Sequence, residues 1–392
     1  MLLNRVFTVV LCIVLFGIGG SFWYTHSNQG AEAQARAIVR SCAGAGDHAK
    51  CYETTVPKLY PKMQVPDIID VIRDIRIDDP SYQFCHVLAH ELGEAVVAND
   101  PNNWIDAIHY NPSDGLCSNG FIHGVIIGRF RNVVLDDATF EKFLPSFKIA
   151  CEAHDGWTPT DLDRAICYHG MGHLFTYITN ADLPNALARC KETVPGDFER
   201  VCIEGVFMQI YQPLEPDDYT LIANMKVKPT ADTVPQFCAA FKDPLYVGAC
   251  LRESWPFSRT ELKSGSGVVQ FCARSPNAEQ TDECYQSASS IIGRFSLGNP
   301  AGAAVVCNGL PADRQETCFA YSAGAVLEED RSDGSKAIDL CGRASATVAR
   351  ACLMDLASRA QFTFGRGTQE YTQFCASLPA NIRSACSTSD YQ

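Results

Sequence analysis

The chain has 392 residues, 46% of them hydrophobic, with a formal net charge of −13 and 19 cysteines. That length and apolar content are enough to bury a sizeable core, and an acidic chain without a basic stripe argues against a nucleic-acid partner, whose phosphates need clustered Lys and Arg. No Walker loop, no GxGxxG after a strand and no GxSxG elbow is present, so those chemistries leave no trace.

Residues 1–5 carry one positive side chain, Arg5, ahead of an uncharged apolar run over 6–24. The run is close to the ~20 residues that a spanning helix needs. Trp23 and Tyr24 at its far end suit the membrane–water boundary, and the basic flank comes first, which leaves 1–5 in the cytoplasm and the remainder outside. We read 6–24 as a transmembrane signal-anchor and 25–40 as a linker. A cleaved signal peptide is the alternative, with Ala31-Glu32-Ala33 as its small-x-small site. Either way the bulk of the chain is extracytoplasmic: periplasmic, at the cell surface or secreted.

Setting aside Cys12, which lies in the apolar run, leaves 18 cysteines and no CxxC pair among them. An even number without metal-type spacing reads as a disulfide framework in an oxidising compartment. Ten of them (Cys51, Cys85, Cys117, Cys167, Cys202, Cys250, Cys284, Cys318, Cys352 and Cys386) follow one another at gaps of 34, 32, 50, 35, 48, 34, 34, 34 and 34 residues. The other eight (Cys42, Cys151, Cys190, Cys238, Cys272, Cys307, Cys341 and Cys375) each precede one of these by 9 to 16 residues. The period predicts helix–turn–helix modules stacked as an all-α solenoid. Pro195, Pro276, Pro311 and Pro379 follow the leading cysteines by four or five residues, where proline suits the first position of a helix. Each later cysteine then falls about two turns into that helix. Pairing each leading cysteine with its follower leaves Cys85 and Cys117 for each other. A loop of this size, once closed, contributes on the order of 3 kcal/mol through chain entropy.

The modules over 41–235 carry the histidines. All nine histidines lie at or before residue 173, and five sit at repeated offsets from a module cysteine: His86 and His90, His123, and His169 and His173. Residues i and i+4 share a helix face, so His86/His90 and His169/His173 could each offer two imidazoles to one ion, with His123 between them. In the next module Glu204 and Met208 occupy the positions of His169 and His173. Gly120, Gly124, Gly170, Gly172 and Gly205 lie alongside and let the helices approach closely. Glu91, Glu94 and Glu204 could complete a mixed nitrogen–oxygen shell or act as general bases. Such a set suits zinc, iron, copper or manganese without choosing between them. The stretch His90-Glu91-Leu92-Gly93-Glu94 resembles the HExxH zinc-protease helix, but Glu94 stands where that motif has its second histidine. The competing reading is that these histidines only hydrogen-bond inside tight helix packing.

Two gaps exceed the period by about 15 residues, placing inserts at Gly128–Pro159 and Tyr211–Pro235. Inserts in a solenoid favour one face, often the binding face. They read either as a lid over the histidines or as plain loop drift.

The modules over 236–392 are the regular ones. The stretches VCNGLPADRQETC and FCASLPANIRSAC are alike, and Tyr321-Ser322-Ala323-Gly324 through Asp333-Gly334 to Ile338-Asp339-Leu340-Cys341 resembles tetratricopeptide-like, disulfide-stapled short repeats. The Trp-Leu-Gly-Tyr pattern of the standard repeat is missing, so the resemblance, over about Cys190 to Cys386, is one of architecture. It implies binding or scaffolding. Two functions therefore stand as expectations: a membrane-tethered metalloprotein built on the five histidines, or a repeat scaffold for a protein or envelope polymer in which the histidines are structural.

Overall fold

The computed structural model describes residues 30–388 apart from 83, 132 and 297–298. The expected signal-anchor over 6–24 lies outside the described residues. No helix among the described residues is long and apolar enough to cross a membrane. Much of the stretch expected as a linker is helical: residues 30–42 form a helix that buries Ala31, Ala35 and Ile38 at i, i+4 and i+7 spacing.

Every regular element among the described residues is a helix. Those that organise the molecule are α1 (His86–Asn99), α2 (Gly120–Phe130), α3 (Asp161–Ile178), α4 (Gly196–Tyr211), α5 (Pro216–Ala223), α6 (Pro244–Glu253), α7 (Ala278–Phe295), α8 (Ala312–Glu329) and α9 (Ala346–Phe364). Nine disulfides staple them: 42–51, 85–117, 151–167, 190–202, 238–250, 272–284, 307–318, 341–352 and 375–386. Such a density of disulfides belongs to an oxidising compartment, so the protein is extracytoplasmic or secreted.

From Cys167 to Cys352 the module cysteines sit in the second turn of their helices, as the spacing predicts, whereas Cys386 falls in the first turn of the short helix Ser384–Thr388. Cys85 and Cys117 do not. Cys85 is the N-cap of α1, and Cys117 begins a left-handed run, Cys117-Ser118-Asn119, that feeds α2. Three of the module prolines also stand one or two places earlier than expected, and Pro379 stands five residues before the helix Ser384–Thr388. Pro195 and Pro311 are themselves N-caps, and Pro276 precedes the cap Asn277, whose side chain accepts from the Gln280 N–H at 2.8 Å. The fixed φ of proline suits the extended N-cap as well as the first helical residue.

The helices pack in series, α1 on α2, α2 on α3, α3 on α4, α4 on α6, and so on to α9. In an open solenoid each repeat touches only its neighbours. Here the series returns on itself, because α9 packs against α3 and Arg331, just past α8, donates to the Ser113 carbonyl and to Asp163 Oδ1, both at 2.9 Å. The buried apolar side chains fall into two clusters, one from Ala31 to Leu251 and one from Trp255 to Cys386. The two clusters meet between Leu251 and Trp255.

Candidate metal centre

The site grows from glycine contacts. A Cβ at Gly124 would collide with the His90 carbonyl oxygen, and one at Gly205 with that of His169. Bare backbone at these positions lets α2 lie on α1 and α4 on α3 closely enough to crowd the side chains beside the contact. The result is a row of imidazoles. Ring centres are 5.5 Å apart for His86 and His123, 5.8 Å for His123 and His169, 5.3 Å for His123 and His173, and 4.9 Å for His169 and His173. Imidazoles sharing one ion, with metal–nitrogen bonds of about 2.0–2.1 Å, stand comparably close. These rings would have to close in further to share one, since no three of the four bring ligand nitrogens within 4.8 Å of one another.

Three of these rings are oriented from behind. His169 Nδ1 lies 3.1 Å from the Val201 carbonyl oxygen, and His173 Nδ1 lies 2.6 Å from Gln209 Oε1. Gln209 is fixed in turn, donating from Nε2 to Asp218 Oδ1 at 2.6 Å, and Tyr177 donates to the same oxygen. His86 bonds the backbone of Ser118. A second-shell acceptor at one nitrogen sets the tautomer and leaves the other with its lone pair, the arrangement that ligating histidines show. On the far side of the ring from Gln209, His173 Nε2 is buried without a hydrogen-bond partner among the described residues, and so is His123 Nε2. Burial pushes His86 and His173 down to about 4, and holds His123 and His169 well below the ordinary histidine value. These four rings are neutral at physiological pH, as ligands must be.

His90 belongs to a different environment. Its Nδ1 stands 2.8 Å from Glu215 Oε1 and 3.1 Å from Glu94 Oε1. Among the described residues this is the one trio whose ligand atoms all lie within 4.8 Å of one another, and it could hold a metal ion. Arg131 pairs with both carboxylates. Burial alone would lower His90, but Glu215 and Glu94 outweigh it and raise the ring to about 10. For Glu215 burial acts upward, and His90 with Arg131 reverse it to about 2. Two carboxylates facing one guanidinium and one imidazolium balance without an ion.

Both groups open on one cavity of about 40 Å³, lined among others by His86, His90, His123, His173, Met208 and Glu215. A single water occupies roughly 10–15 Å³ by that measure, so an ion with a water or two fits. Of the suggested bases, Glu94 is in the trio. Glu91 is half-buried with its pKa raised by burial, and Glu204 is tied to Arg252 at 3.0 Å. His48, His109 and His154 lie apart from the cluster: His48 faces Asp79, and the rings of His109 and His154 pack at a tilt against Tyr110 and Trp157.

The two inserts behave differently. Gly128–Pro159 contains the helix Asp137–Ile149, whose Phe140 and Phe147 join an aromatic core with Trp104, Phe130 and Phe175. It is packed structure and no lid. Tyr211–Pro235 contains α5, capped by Glu215 and Asp218, and so carries two acidic groups onto the histidines. Glu215, Asp218, Gln209 and Arg131 are absent from the sequence-based site. The signal for Glu215 and Asp218 was the acidic run Glu215-Pro216-Asp217-Asp218 inside an insert next to a histidine module, and nothing marked Gln209 or Arg131. Compared with known protein families, curated proteins and solved structures, the chain matches none.

Proposed function

We propose that the protein is an extracytoplasmic transition-metal-binding protein, with His86, His123, His169 and His173 as imidazole ligands and the His90–Glu94–Glu215 group as their acidic flank. The reading is carried by the buried, unpartnered Nε2 atoms of His123 and His173. A buried polar atom left unpaired costs about 1–3 kcal/mol, and here two of them line one cavity. An ion accepted by both removes that cost. Imidazole-rich sites favour zinc, copper or iron over the hard cations magnesium and calcium. The second shell, in which Asp218 holds Gln209 and Gln209 holds His173, supports the same reading.

The test is metal analysis of the full chain produced with its disulfides intact and exposed in turn to zinc, copper, iron and manganese. We expect about one tightly held transition metal per chain. The double variant His123→Ala, His173→Ala loses it, and the control His109→Ala keeps it. Circular dichroism checks that each variant is folded. A folded wild-type chain that retains none of the four metals overturns the proposal and leaves the scaffold function standing.

A further inference from the structure

Met208 lies on α4 at the helix position that His173 holds on α3, and its sulfur reaches the histidine row. The Sδ atom is 3.1 Å from His169 Nε2. On the other side of that ring Nδ1 is 3.1 Å from the Val201 carbonyl oxygen. A carbonyl only accepts, so the proton of the neutral ring is on Nδ1 and Nε2 keeps its lone pair. A thioether carries no proton either. Two lone-pair atoms therefore face each other at 3.1 Å with no hydrogen between them. A cation bound by both atoms relieves the contact.

A methionine used only for packing fills gaps between apolar side chains. Met208 instead shares a cavity wall with His86, His123, His173 and Gln209. We propose that Met208 and His169, together with His123 and His173, form a site for monovalent copper. Thioether sulfur is a soft ligand that selects copper(I), while zinc and manganese gain little from it. This inference rests on the metal-binding function proposed for the same cluster and narrows it to one ion.

The full chain is titrated anaerobically with copper(I) against bathocuproine disulfonate, using ascorbate as reductant so that no thiol attacks the disulfides. Zinc binding is measured in parallel with a chelating dye. We expect one copper(I) per chain, weakened by about tenfold or more in Met208→Leu, with zinc affinity changed by less than about threefold. The X-ray absorption of the copper form should show a copper–sulfur path that the variant lacks. Circular dichroism and thermal unfolding establish that Met208→Leu is folded, and this near-isosteric exchange keeps the packing. Copper(I) bound equally well by Met208→Leu, with no sulfur path, overturns the thioether ligand. Zinc bound without copper(I) overturns the copper assignment and leaves the metal centre intact. If neither ion binds, both proposals fall together.

Discussion

At the scale of single residues, the site sets five histidines of one chemical type to opposite tasks. His86 and His173 are held neutral by burial, with pKa values of about 4, while His90 is lifted to about 10 by Glu215 and Glu94 against the same burial. The two shifts act on stability with opposite sign. An unfolded histidine takes up its proton near pH 6.5. For His86 and His173 the unfolded chain binds more protons than the folded one between pH 6.5 and about 4. Stability is thus lost as pH falls through that window, on the order of 3 kcal/mol per ring. For His90 the folded state holds the extra proton, so its contribution is complete below pH 6.5 and is lost as pH rises toward about 10. The metal-free protein should be most stable near pH 6.5, as read by urea unfolding from pH 4 to 10. In His90→Gln the alkaline decline should flatten while the acid decline remains. A wild-type stability that stays level between pH 7 and 9 would count against the ion-pair assignment of His90. The sequence showed the five histidines through their shared offsets, but not that His90 turns away from the other four. Its carboxylate Glu215 lies in a non-repeating insert, and no period links the two.

At the scale of elements, the glycines decide how close the histidine helices come. Gly124 meets the His90 carbonyl oxygen, whereas Gly196, at the start of α4, has nothing within 4 Å of its would-be Cβ. Gly124→Ala should therefore force α1 and α2 apart, costing about 2–3 kcal/mol through overpacking and spreading the ring row. Gly196→Ala should change stability by less than about 1 kcal/mol and lean toward stabilisation, since it removes unfolded-state freedom without a clash. Chemical denaturation of the pair separates backbone contact from mere helix propensity, and equal effects would refute the close-approach argument. Here the sequence was informative, because glycines beside histidines at helical spacing already suggested tight packing. Its limits were registers of one or two residues. Pro195 is a cap rather than a first helical residue, and the left-handed turn at Cys117-Ser118-Asn119 has no glycine in those three positions to announce it.

At the scale of the molecule, the periodic cysteines foretold serial helix packing but not the return of the chain on itself. Closure depends on few residues widely separated in sequence, and nothing periodic marks them. Arg331 is the principal one. Its side chain is 3% exposed, and it joins the second apolar cluster to the first through Asp163 and the Ser113 carbonyl. Asp163 has a second duty in the capping box that starts α3, where its side chain accepts from the Thr160 N–H at 3.0 Å. The closing contact is therefore wired to the helix that carries His169 and His173, and also to the segment before His123. In Arg331→Met the apolar stem is kept while the charge is removed, which leaves Asp163 without its cation in a largely buried setting. Breaking one side of such a pair costs about 3–5 kcal/mol, against less than about 1 kcal/mol for an exposed one. Hydrogen exchange should show the loss at Ser113–Asn119 and in the first turn of α3, two places far in sequence from Arg331 that meet it only if the series closes. Protection unchanged at both, with a stability cost below about 1 kcal/mol, would mean that the helices behave as an open stack in solution.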